Sequence, residues 1–276
     1  MEASPSYRSE RDTAVAAARD AARLIRGHAG QFDPASVRDK NLNELVTEVD
    51  EAAQHTIVER LSAAFPAHAI LAEEGDRPEA PDPAAEGKRW IIDPLDGTTN
   101  FTYGTPPFAV SIALQDGARL AVGVVLEVAS DTLYTAVRGH GLYVDGTPAG
   151  VSGVDGLAHS LLATGFPYRR FEHTETYLGV LGHFMKQTRG VRRHGAAAVD
   201  LARVAAGRFT GFFETGLSPW DVAAGTLLVE EGGGRVTDFR DQPAPHPVFD
   251  GQVLASNGAI HAAMLEGLTP LIDTRA

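Results

Sequence analysis

Trp90-Ile91-Ile92-Asp93-Pro94-Leu95-Asp96-Gly97-Thr98-Thr99-Asn100-Phe101 is where a buried strand gives way to acids. Trp90 to Ile92 reads as the end of a strand, and two carboxylates follow at once, separated by Pro94 and Leu95. Pro94 fixes its own φ and pushes Asp93 into extended backbone, so both acids have set directions. With the Leu95 carbonyl between them, the run offers hard oxygen ligands of the kind Mg²⁺ prefers, with waters and a substrate phosphate completing the octahedron. Gly97 lets the backbone approach a ligand, and the N–H groups of Gly97, Thr98 and Thr99 are placed to open a helix whose positive end faces an anion. Turn chemistry alone favours a plainer outcome, because Asp-Gly pairs mostly mark solvated turns.

Outward from this stretch, acids recur at the ends of elements. Upstream, Ala69 to Ala72 reads as a short strand ending in Glu73-Glu74-Gly75. Adjacent acids on extended backbone point to opposite sides, so only one of the pair can enter a shared site. Earlier still, Thr47 and Asp50 look like the opening turn of a helix, with Ala53, Ile57, Leu61 and Ala64 or Phe65 on its buried side and Pro66 as its stop. Downstream, Asp221 falls in the first turn of a helix over Pro219 to Glu231. By themselves Asp50 and Asp221 need no catalytic explanation, since a first-turn acid is stabilised by the helix dipole.

Composition removes several alternatives. The 276-residue chain can bury a substantial core, as one large domain or two. Its formal charge of −12 argues against nonspecific nucleic-acid binding. Cysteine is absent, which excludes disulfides, thiolate zinc sites and cysteine nucleophiles. Met1 to Glu10 lacks the apolar core of a signal peptide, and no apolar run approaches a membrane span, so a cytoplasmic enzyme is expected. There is no Gly-x-Ser-x-Gly elbow and no His-Glu-x-x-His. His68 and His194 read as surface or satisfied residues rather than ligands.

Trp90 to Phe101 resembles a signature of the inositol monophosphatase family, the Mg²⁺-dependent, lithium-sensitive phosphatases related to fructose bisphosphatase and the nucleotide 3′-phosphatases. A second signature of that family is matched by Trp220-Asp221-Val222-Ala223-Ala224-Gly225, ending in Glu231-Gly232-Gly233-Gly234. With Leu45 to Asp50, Glu73-Glu74 and Gly195 to Glu214 also matching, the resemblance runs from Asp12 to Met264.

The resemblance implies a layered α-β-α-β-α sandwich and a usual homodimer. It implies metal ligation by Glu73, Asp93, the Leu95 carbonyl, Asp96 and Asp221, around roughly two or three Mg²⁺ ions. Four carboxylates in one pocket repel one another unless divalent cations neutralise them. Asp50 is implied to contact the Thr98 hydroxyl and orient the attacking water, with Glu73 as a competing base. Gly97 and Thr98 would hold phosphate oxygens, while Gly195, Ala196 and Ala197 border the substrate and Glu214 binds its hydroxyls. Ala196 stands where the family usually has Ser or Thr, and Ser218-Pro219 departs from the His-Cys pair of animal members. Lys40 falls near a lysine that borders a third metal in the family.

The expected activity is hydrolysis of a phosphate monoester on a small polyol or sugar, inositol 1-phosphate first, without a phosphoenzyme. Fructose-1,6-bisphosphatase, nucleotide 3′-phosphatase, NADP phosphatase and histidinol phosphatase share the chemistry. A regulatory or RNA-associated binding protein on the same fold is the alternative of a different class.

The remaining pattern divides at residue 150. In 1–150, Asp12-Thr13 is placed to cap a packing helix with Val15, Ala18, Ala22 and Ile25 on one stripe. A surface loop spans Asp76 to Gly87, and an antiparallel meander runs from Phe108 to Gly150. Gly139 and Gly141 read as a bend within it. In 151–276, strands at Leu161 to Thr164 and Phe209 to Glu214 alternate with helices at Thr174 to Gln187, Ala196 to Ala206 and Pro219 to Glu231, an α/β arrangement.

Overall fold

The computed structural model describes residues 6–29, 38–41, 44–46, 48–75, 86–167 and 171–273. Thr47, most of the 76–87 loop and the Lys40 side chain lie outside the described residues. The elements run α1 (Arg8–His28), β1 (Arg38–Asn41), β2 (Glu44–Val46), α2 (Glu48–Ala64), β3 (Ala69–Ala72), β4 (Lys88–Asp96), α3 (Thr98–Thr102), β5 (Ala109–Asp116), β6 (Arg119–Glu127), β7 (Thr132–Val137), β8 (Leu142–Val144) and β9 (Thr147–Ala149). Then follow β10 (Leu161–Thr164), α4 (Thr174–Gln187), β11 (Gly190–Arg192), α5 (Ala197–Ala205), β12 (Gly211–Thr215), α6 (Pro219–Glu231), β13 (Arg235–Thr237), α7 (His246–Asp250), β14 (Gln252–Ser256) and α8 (His261–Leu268).

A seven-stranded sheet is ordered β3-β4-β5-β6-β7-β8-β9, and a five-stranded sheet β11-β10-β12-β14-β13. Strand alternation sorts side chains into layers. Trp90 and Ile92 of β4, with Val110, Ile112 and Leu114 of β5, pack against the alanine face of α1 and against Ala53, Ile57 and Leu61 of α2. Ile91 and Ala113 point the other way, into a core shared with α5, α6 and the inner face of the second sheet. A third cluster, around Tyr177, Phe184, Phe213 and Met264, seats α4 and α8 on the outer face. The result is the α-β-α-β-α sandwich.

The inner face of the seven-stranded sheet is small where α6 crosses it. A Cβ on Gly123 would lie 2.8 Å from the Ala224 carbonyl oxygen, so the helix backbone sits directly on the sheet. That close approach brings the first turn of α6, and Asp221 with it, to the end of β4.

The helix at Pro219–Glu231 and that at Thr174–Gln187 match their expected bounds, and α3 opens at Thr98. The first helix differs: it begins at Arg8, with Tyr7 as N-cap, and Asp12-Thr13 lies within it. Long-range contacts account for the extra turn. The Tyr7 hydroxyl donates to Asp116 Oδ2 at 2.9 Å, and Lys88 Nζ reaches Glu10 Oε1 at 2.8 Å. Its buried stripe is Ala14, Ala17, Ala18, Ala21, Ala22 and Ile25, with Val15 only partly covered.

Candidate metal and phosphate site

The β4–β5 ladder shifts register between Asp93 and Asp96, where Pro94 has no N–H to give it. Within the irregular segment Asp93 Oδ1 accepts the Leu95 N–H at 2.9 Å, fixing one carboxylate. Asp96 Oδ2 accepts the Ala198 N–H at 2.8 Å, which ties the strand end to the first turn of α5. Asp221 Oδ2 accepts the Ser218 N–H at 2.7 Å in a capping box, so the acid is a helix cap as well as a candidate ligand. Each of these three carboxylates is oriented through one oxygen by a backbone amide, the support that metal ligands ordinarily receive.

Gly97 follows in the left-handed region, φ 88°, and opens α3. A Cβ there would meet the Pro107 carbonyl oxygen at 3.1 Å, Ala196 Cβ at 3.3 Å and the Gly195 carbonyl oxygen at 3.3 Å. The turn at Gly195–Ala197 therefore lies directly against Gly97. Asn100 pins the two together: its Nδ2 donates to the carbonyls of His194 at 2.7 Å and Pro107 at 2.8 Å. Ala196 is the N-cap of α5 and has no side chain to cap it. In a cap position the absent hydroxyl costs roughly 0.5–2 kcal/mol of helix stability.

Thr98 Oγ1 lies 3.1 Å from Asp50 Oδ2 and 3.0 Å from the Leu95 carbonyl oxygen. Its single proton is shared between them. Glu73 follows β3, where its N–H donates to the Ile92 carbonyl at 3.1 Å and places it beside Asp93. Glu214 is the penultimate residue of β12, buried across the backbone of Gly165.

The buried carboxyls of Asp93, Asp96 and Glu214 are all shifted upward. Burial pushes the Asp93 carboxyl well above the usual range, and Glu73, Asp96, Asp221 and Asp50 push it further. Asp96 is raised by burial and then by Asp221, against the opposing hydrogen bond from Ala198. Glu214 is raised by burial, Asp200 and Asp221, with Arg193 acting the other way. Acids gathered at one buried place are what a divalent cation satisfies, and the all-oxygen donor set suits Mg²⁺. Among the described residues, no three acidic or histidine side chains close into a metal cage by themselves.

A model of the inositol monophosphatase family matches residues 7–273. The chain belongs to the inositol monophosphatase family. Among relatives, it is 45% identical over 260 residues to the Nus factor SuhB of Pseudomonas aeruginosa, covering 93% of this chain and 94% of that one. It is 40% identical over 261 residues to the inositol-1-monophosphatase of Mesorhizobium japonicum, covering 95% and 96%. The solved inositol monophosphatase of Anabaena superposes with a TM-score of 0.82 at 38% identity, covering 95% of each chain.

Two features around this candidate site escaped the sequence. Asp200 is buried and pairs with His194, Oδ1 to Nδ1 at 2.8 Å, while the His194 ring stacks on Phe209, so this histidine is satisfied. A lone acid within the apolar run Ala196 to Ala206 was the available signal. Gly165 gave none, because its role depends on which side chain lies above it.

Proposed function

We propose that this protein is a Mg²⁺-dependent phosphate monoester hydrolase acting on a small phosphorylated polyol or sugar, with inositol 1-phosphate as the first candidate. The observation that carries the reading is the convergence on Asp93 of acids from separate segments, beside the Gly97 turn. Glu73, Asp93, the Leu95 carbonyl, Asp96 and Asp221 would hold roughly two or three Mg²⁺ ions. Bound there, Mg²⁺ supplies charge neutralisation and activation of water.

The chain's own groups do the positioning. The Thr98 hydroxyl, held between Asp50 and the Leu95 carbonyl, orients the attacking water and passes its proton toward Asp50. Glu73 is the competing base. Gly97 and Thr98 N–H groups bind phosphate oxygens, Gly195, Ala196 and Ala197 wall the substrate, and Glu214 accepts from its hydroxyls. A cytoplasmic homodimer sensitive to lithium belongs to the same proposal. No helix among the described residues is long and apolar enough to cross a membrane.

The test is phosphate release from a panel of esters with and without Mg²⁺: inositol 1-phosphate, fructose 1,6-bisphosphate, a 2′- and a 3′-nucleotide, NADP and histidinol phosphate. Mg²⁺-dependent release led by inositol 1-phosphate is expected. Preference for another ester reassigns the substrate, and no release from any overturns the hydrolase reading. A regulatory binding role on the same fold is the second reading. One observation favours it: the 45%-identical relative bears the name of a Nus factor.

A further inference from the structure

Helix α2 presents Asp50 and Gln54 one turn apart, on one face. Asp50 reaches Thr98, whereas Gln54 reaches the other side of the site. Its Nε2 donates to the Glu74 carbonyl at 2.7 Å, and its Oε1 accepts the Glu74 N–H at 2.9 Å. A side-chain amide alone carries a donor and an acceptor side by side in one plane, so one residue satisfies both backbone groups of Glu74. On the preceding residue, the Glu73 N–H is held by Ile92. Glu73 thus sits between two anchors, one on β4 and one on α2. Immediately afterwards the chain turns away through Gly75 at φ 103°.

The anchors address a problem that the sequence poses. Glu73 and Glu74 are chemically equivalent and point to opposite sides of the extended backbone. Regular pairing of β3 with β4 ends at Ala72 opposite Ile92, just before the two acids. A slip of one residue would present Glu74 to Asp93 in place of Glu73. We propose that Gln54 is a positioning residue of the metal site, clamping the Glu74 backbone so that Glu73, and not Glu74, faces the ions. The inference rests on the metal-dependent reading above.

The test uses the full chain with Gln54→Met, similar in length but unable to form either bond. Mn²⁺ affinity of the free protein is read from the electron paramagnetic resonance signal of unbound ion, independently of turnover. Supporting a metal ligand through its neighbour is worth roughly 10- to 100-fold in affinity, and a loss of that size is expected. The Mg²⁺ concentration for half-maximal phosphate release should rise by the same factor, with kcat at saturating Mg²⁺ falling far less. In a Glu73→Gln background, Gln54→Met should weaken Mn²⁺ binding no further. Gln54→Asn, whose amide is one methylene short, should shift affinity in the same direction and serves if the Met variant does not fold. Unchanged affinity in either folded variant, or a full additional loss in the Glu73→Gln background, overturns the positioning role. A wild-type protein that binds no Mn²⁺ overturns the metal reading itself.

Discussion

Gly165→Ala tests how Glu214 is held. A Cβ at this position falls inside the Glu214 carboxylate, so both cannot keep their places. The glycine backbone is not left-handed, and alanine strains nothing by itself. Nor can the strand end retreat readily. Thr164 Oγ1 donates to the Phe213 carbonyl at 2.7 Å, and the Tyr177 hydroxyl donates to the Gly165 carbonyl. The carboxylate must therefore swing away from a position where it is only 8% exposed. If Glu214 accepts from a substrate hydroxyl, the loss is a charged hydrogen bond, about 1.5–3 kcal/mol, or roughly a 10- to 150-fold fall in kcat/KM. The assay compares inositol 1-phosphate with p-nitrophenyl phosphate, whose leaving group offers no hydroxyl. Loss confined to the polyol ester, with Mg²⁺ half-saturation unmoved, is expected. An equal fall for both esters, or none for either, would refute the assignment of Glu214.

Asp93→Asn should abolish turnover while raising the metal-free melting temperature by a few degrees, because it removes a buried charge repelled by its neighbours; about 1 kcal/mol corresponds to roughly 2–4 °C at this chain length. Melting curves in EDTA and with Mg²⁺ check it, and retained activity would disprove the ligand assignment. Gly225→Ala would place a methyl within 2.6 Å of Leu201 Cδ1 where α5 crosses α6, costing roughly 1–3 kcal/mol in urea denaturation. His261 is buried against the hydroxyls of Thr237 and Ser256, with Asp241 and Arg235 as its charged neighbours, and burial lowers its pKa from 6.5 to about 4. Below pH 6.5 the unfolded chain takes up a proton that the folded chain refuses, so stability should fall as pH drops toward 4 and level off beneath it. Allowing for residual solvent screening, the loss is about 2 kcal/mol. His261→Gln should flatten that slope in unfolding measurements at pH 7 and pH 4.5, and an unchanged slope would disprove the linkage.

Local chemistry was legible wherever one segment carried its own signal. Pro219 marked the start of α6, and Gly97 marked the turn after Asp96. The meander was visible in its alternation and its Asp-Gly turns. What could not be read depends on partners distant in the chain. Tyr7 extends α1 because Asp116 is beside it, which no helix propensity foretells. Gly139 and Gly141 read as a bend, but the Glu231 carboxylate that accepts both of their N–H groups at 2.9 Å was invisible. Gln54 carries no signal of its own for the same reason, since its partner is the Glu74 backbone.

Helix α6 has one sheet on each side of it, packed from Gly123 on β6 at one wall to Val253 and Ala255 on β14 at the other. A fragment ending at residue 150 would bare the apolar wall that α6 covers, and the complementary fragment would bare the helix. Neither piece should be obtainable alone in native form. Co-expressed, the two should reconstitute by burying the same surface, with the candidate ligands reunited across the cut.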